Sequence, residues 1–169
     1  MYTTRRGAVK PSPREAAAAL RERLADWVPD PDRVLRAWAL GGPAPVPVRG
    51  FAVVEVPGSV WGPCTARRLA KLAAQDVGPV LQRSGPLLEA TLFLTWLPAP
   101  GELPWRVLGT PTTVMNTSGT VDLPPPTRSA SCGVTWLLPL PPDFRLTPPW
   151  LLARELTTTR RDLRTAGLL

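Results

Sequence analysis

FAVVEV, residues 51–56, is five apolar residues, three of them β-branched, broken by one charge at Glu55. A strand with one wet face alternates apolar and polar residues. A run that is apolar at consecutive positions predicts a central strand covered on both faces. Pro57-Gly58 ends it. Downstream, PCTARRLAKLAAQD (63–76) predicts a helix with Leu69, Leu72 and Ala73 inward and Arg67, Arg68 and Lys71 outward, closed by Gly78. Val80 to Gln82 is a short strand before a turn at Arg83-Ser84-Gly85-Pro86, and Thr91 to Trp96 is a second strong strand. A short helical turn is expected over 102–108. Thr112 to Met115 and Thr120 to Leu123 flank Asn116-Thr117-Ser118-Gly119, which has the chemistry of a hairpin turn. The last strand is expected from Gly133 to Leu138.

Upstream, PAPVPVRG (43–50) is extended and broken by proline. Ser12-Pro13-Arg14-Glu15 reads as a capping box opening a helix that runs to Trp27, with Leu20, Leu24 and Trp27 as its buried stripe. Asp30-Pro31 repeats the start signal. Val34, Leu35, Trp38 and Leu40 should face inward from this second helix, which Gly41-Gly42 stops. At the other end, Pro139 to Pro149 is a proline-dense linker. WLLARELTTTRRDLRTAGLL (150–169) continues as a helix with Leu152, Leu156, Thr159 and Leu163 on one edge and Arg154, Arg160, Arg161 and Arg164 elsewhere. Three consecutive Thr weaken its intrinsic helicity, so it needs a surface to dock on. The expected fold is therefore α+β, a mixed, mostly antiparallel sheet flanked by helices. A basic tail over 1–11, expected to be mobile, precedes a single domain over 12–140. Residues 141–169 form the linker and a helix that docks on the domain or on a partner.

Of the 169 residues, 23 are proline, dispersed between apolar runs, which suits a folded chain with stiff connections. The 20 basic residues are 18 Arg with Lys10 and Lys71, a skew typical of GC-rich coding, and the net charge is +7. Such a balance favours polyanions. The arginines are spread along the chain, so solvated surface and a nucleic-acid patch both remain open readings. Cys64 and Cys132 read as two separate thiols of a reducing compartment, and the N-terminus has no apolar h-region of a secretory signal. A cytoplasmic protein without a membrane partner is expected, because the apolar runs are strand-length.

The chain has no histidine. Imidazole-based triads are thereby excluded and a zinc site nearly so, and no cofactor and no metal is called for. No phosphate-loop motif is present; Gly58-Ser59-Val60-Trp61-Gly62 opens a helix and reads as a plain turn or, less specifically, a phosphate-holding loop. Glu55 is the only acid in a strong strand. It either lies on a wet face, pairs with an arginine, or serves a catalytic, metal or interface role. Of the seven tryptophans, Trp27, Trp38, Trp96, Trp136 and Trp150 sit among apolar residues and are expected in the core. Trp61 and Trp105, near loops, are the surface candidates for base stacking.

FAVVEVP (51–57), ARRLAKLAAQDVGPV (66–80), TLFLTWLPAPGELP (91–104) and TVDLPPPTRSASCGVTW (120–136) occur in an order that resembles the N-terminal domain of bifunctional DNA primase/polymerases, the prim-pol branch of the archaeo-eukaryotic primases, in its diverged actinobacterial form. The resemblance covers about half the chain. It implies an acidic pair on the first strand, a histidine on the strand after the helix and a further acid downstream. Here the first acidic position is Glu55, its partner position is Pro57, the histidine position falls near Leu92, and 110–121 holds no acid. The resemblance therefore implies a degenerate copy without catalytic residues, Glu55 being the one remnant. Two functions follow, with an active enzyme dependent on Glu55 as a third reading. One is a DNA- or RNA-binding or regulatory domain using Arg67, Arg68, Lys71, Arg160, Arg161 and Arg164. The other is a protein-interaction subunit presenting Trp150, Leu151 and Leu152 from its C-terminal helix.

Overall fold

The structure, a computed structural model, describes residues 13–72, 76–85, 89–108, 113–126, 130–131, 133–141 and 143–169. The tail over 1–11, Ser12 of the expected capping box, Ala73 and Cys132 lie outside the described residues, as does the Trp105 side chain. The elements are α1 (Pro13–Ala25), α2 (Pro31–Ala39), β1 (Ala44–Pro47), β2 (Phe51–Pro57), α3 (Trp61–Leu69), β3 (Val80–Ser84), β4 (Glu89–Trp96), α4 (Leu103–Leu108), β5 (Val114–Asn116), β6 (Thr120–Leu123), β7 (Ala130–Ser131), β8 (Val134–Leu138) and α5 (Pro149–Thr165). Six strands form one antiparallel sheet in the order β5-β2-β4-β3-β8-β7, and β1 and β6 form a separate antiparallel ribbon. The fold is α+β, with antiparallel sheets flanked by helices.

The apolar run of β2 is explained by cover on both sides. Phe51 and Val53 join Leu81, Leu92, Leu94 and Trp136 beneath α1, α2 and the ribbon, with Leu24, Val34, Trp38, Val46 and Leu123 completing that core. Val54 and Val56 join Val80 and Phe93 on the opposite face, under Trp61, Leu69, Leu152, Leu156 and Leu163 of α3 and α5. Three buried indoles each donate to a carbonyl: Trp38 to Leu123 at 2.9 Å, Trp61 to Leu156 at 3.1 Å and Trp136 to Pro125 at 3.2 Å. Their N–H groups are thereby satisfied inside an apolar setting.

The helices differ in detail from the sequence reading. α1 stops at Ala25, and the amides of Trp27 and Val28 both reach the Leu24 carbonyl as the chain turns toward Pro29. A residue preceding proline is disfavoured in the helical region, which sets this end. Arg21 clamps α1 to α2 through two 2.8 Å bonds to the Asp32 carboxylate, holding that carboxyl below its ordinary pKa range. The Asp30 side chain accepts from the Arg33 amide at 3.0 Å, capping α2 as expected. Asp30→Ala should cost about 1 kcal/mol, seen as a lower urea midpoint at unchanged m. Leu40 is a correction: the helix ends one residue earlier, and Leu40, as its C-cap, is 89% exposed.

α3 is also corrected. It begins at Trp61 and ends at Leu69, with Lys71 and Leu72 closing tight i→i+3 bonds beyond it. Trp61 starts it because burying the indole anchors the first turn, where Pro63 gives up no intrahelical bond. A Cβ at Gly62 would collide with the Thr91 side chain of β4, so glycine lets helix and sheet approach closely. Gly78 is no helix cap; its amide donates to Thr147 Oγ1 at 2.9 Å.

Within 43–50, where the sequence suggests only extended chain, Ala44–Pro47 form the strand β1. Ala44, Val46 and Val48 are buried, and the Val48 amide bonds to the Gly119 carbonyl. Pro45 and Pro47 alternate with them and take the outer edge, where no donor is needed. Asn116-Thr117-Ser118-Gly119 is not a hairpin. β5 pairs with β2 while β6 pairs with β1, so the tetrapeptide carries the chain from the sheet to the ribbon, with Gly119 at φ +86°. β7, unforeseen, pairs with β8.

Candidate nucleic-acid interface

Glu55 and the basic residues of α3 and α5 occupy opposite faces of the sheet. Glu55 points toward the ribbon side, is 17% exposed, and accepts from Arg83 Nη2 at 2.5 Å. Leu92 of β4 lies directly across from Glu55, between it and β3. The pair floors a cleft of about 310 Å³ whose walls include Asn116, Thr120 and Asp122. Sequence reading missed Arg83 and Asp122. Arg83 lies just past the strand predicted to end at Gln82, and Asp122 lies one residue past 110–121. Two-metal nucleotidyl transfer requires several convergent carboxylates. Glu55 is engaged by a cation, the neighbouring acidic position is Pro57, and among the described residues no three metal-ligating side chains gather. The residues present do not fit the metal centre that the resemblance implies.

On the other face, α3 packs against α5. Arg68 is the bridge: its Nε donates to Glu155 Oε2 at 3.0 Å and its Nη1 to Asp162 Oδ2 at 3.1 Å. Glu155, only 8% exposed at its side chain, also accepts from Arg154 at 2.9 Å. Arg161 leans on Asp162 at 3.6 Å. Arg67 donates to Cys64 Sγ at 3.0 Å, and with Arg68 and Lys71 it lines a broad depression against Thr159, Asp162 and Leu163. Arg160 lies 5.4 Å over the Trp61 ring at the other end of α3, and Arg164 is exposed in the last turn of α5. The structure thus brings Arg67, Arg68 and Lys71 together, sets Arg160 apart on an indole, and leaves Arg161 and Arg164 toward solvent. Among the described residues no carboxylate is within ion-pairing distance of Arg67, Lys71, Arg160 or Arg164.

Trp38 and Trp136 are buried and Trp27 packs against the core, as expected, but three other tryptophans reverse their expected places. Trp61 is buried, because it starts α3 against α5. Trp96 and Trp150 are 48% and 58% exposed, at the last residue of β4 and in the first turn of α5. The partner patch is corrected likewise: Leu151 and Leu152 are buried, facing the sheet, and only Trp150 is free to meet a partner. It lines an apolar groove of about 440 Å³ with Leu103, Pro104 and Val107 of α4. No helix among the described residues is long and apolar enough to cross a membrane. No family model, curated protein or solved structure matches the chain.

Proposed function

We propose that the chain is a non-catalytic, prim-pol-like domain that binds nucleic acid through the exposed side of the α3–α5 pair. The observation that carries this reading is the set of cations there without a carboxylate partner: Arg67, Lys71, Arg160 and Arg164. Positive charge without a carboxylate partner, gathered on two packed helices, suits phosphate contact. The pairing of Glu55 with Leu92 across adjacent strands supports the resemblance, since these are the positions at which the family's acid and histidine would face each other. The Glu55–Arg83 pair supports loss of catalysis.

Fluorescence anisotropy with single-stranded DNA, duplex DNA and RNA across a salt series tests this. Binding that weakens with a log–log salt slope of about −2 to −4 is expected for duplex DNA, corresponding to a few phosphate contacts. Arg67→Ala combined with Lys71→Ala should flatten that slope by about 2. Absence of binding at low salt refutes the reading. A second reading, a protein-interaction subunit, is favoured by the Trp150–Leu103 groove, in which Leu103 is 73% exposed.

A further inference from the structure

At the end of the sheet away from Glu55, three segments enclose a cavity of about 430 Å³: the end of α1, the turn entering β2, and the loop leading to α5. Its inner wall is aromatic. The Trp27 ring lies 5.5 Å from Phe51 and meets Phe144 edge-on at 5.4 Å. Trp96, half exposed, lines the same space. Arg23 and Arg49 line it too, and among the described residues neither has a carboxylate within ion-pairing distance.

The backbone is bent to build this place. Phe144 has φ +54°, the only non-glycine residue among those described with positive φ, and Gly50 has φ +72°. A bulky residue in the left-handed region is uncommon, and such conformations concentrate at functional sites. Phe144 is flanked by Asp143 and Arg145, which form an ion pair. The guanidinium keeps the Asp143 carboxyl below its ordinary pKa range, so that acid's charge is already answered. Of the acids lining the cavity, Asp26 alone is left to set against Arg23 and Arg49, and the balance is positive.

We propose that this cavity binds a planar aromatic anion of the aryl phosphate class, its ring against Trp96 and Trp27 and its acid group against Arg23 and Arg49. The volume falls within the range of small-ligand sites. Aromatic walls suit a flat ring, and guanidinium forks suit an oxyanion. The site is on the opposite face of the sheet from the α3–α5 pair and does not rest on the nucleic-acid reading.

Calorimetric titration of the full chain with 1-naphthyl phosphate tests it, with inorganic phosphate and 1-naphthol as half-ligands. The aryl phosphate should bind at least about tenfold tighter than either half. Trp96→Ala and Arg49→Ala should each weaken it by about fivefold or more. Arg49 is exposed and Trp96 half exposed, so both variants should stay folded, the melt of Arg49→Ala unchanged and that of Trp96→Ala only modestly lowered, and Arg67→Ala should leave affinity alone. No saturable binding, equal affinity for a half-ligand, or full affinity in both variants overturns the proposal.

Discussion

Gly78→Ala should destabilise the protein by roughly 3 kcal/mol, the upper end of the cost of overpacking. A Cβ there would lie 2.5 Å from the Thr147 amide nitrogen and 2.7 Å from Leu146 Cα. These are backbone atoms, which cannot rotate aside as a side chain can. Thr147 is held on three sides: its Oγ1 accepts from Gly78, its carbonyl accepts from Thr95 Oγ1 at 2.7 Å, and its amide donates to the Leu94 carbonyl at 3.3 Å. This is where the proline-dense linker is fastened to the sheet before α5 begins. Moving 146–147 away would loosen both. Gly42→Ala is the control, since its added Cβ meets only the Ala37 carbonyl at 3.7 Å, ordinary contact. Urea unfolding of the two variants compares them directly. A loss below about 1 kcal/mol for Gly78→Ala would mean the two segments are not in close contact.

Arg68→Ala should cost about 2–3 kcal/mol, because it strips the main partner from a buried carboxylate. Glu155 would keep only Arg154, which is itself half exposed, and Asp162 would keep only the 3.6 Å contact with Arg161. Arg67→Ala and Lys71→Ala, on the same helix edge, should stay within about 0.5 kcal/mol. Adding Glu155→Leu to Arg68→Ala should restore part of the loss, since the orphaned charge is then gone. Equal stability of all three single variants would show that the α3–α5 seam is held by apolar packing alone. The comparison also separates roles that sequence alone merged: Arg68 joins two helices, while Arg67 and Lys71 are available to a polyanion.

What could be read in the sequence was mostly local. The β-branched density of 51–56 and the apolar run of 91–96 marked two strands of the sheet, and Asp30-Pro31 marked a helix start, because each signal acts within a few residues. The leucine edge of α5 was legible for the same reason. Its partner was not, since neither α3 nor the sheet leaves a mark on 150–169. Pairing was the main gap. Asn116-Thr117-Ser118-Gly119 has the composition of a hairpin turn, yet its flanking strands are claimed by β2 and β1, about 60 to 80 residues away in the chain. Tryptophan burial failed similarly. Trp96 and Trp150 have apolar neighbours in sequence but sit where elements begin or end, and Trp61, beside a glycine loop, lies under α5. At the candidate site the six cations were legible as a composition. That two acids of α5 claim Arg68 was not, because Glu155 and Asp162 are distant in sequence and adjacent only after folding.

The prolines of β1 have a consequence for how the molecule can meet others. A strand can be added only where a free edge offers regularly spaced amide donors. The outer edge of β1 lacks them at Pro45 and Pro47, and β6 carries the charged Asp122 on its own outer side. Among the described residues, the larger sheet ends in three residues at β5 and two at β7. At the ribbon, edge-to-edge pairing, the usual route from an antiparallel sheet to fibrils, is therefore disfavoured by the chain's own prolines.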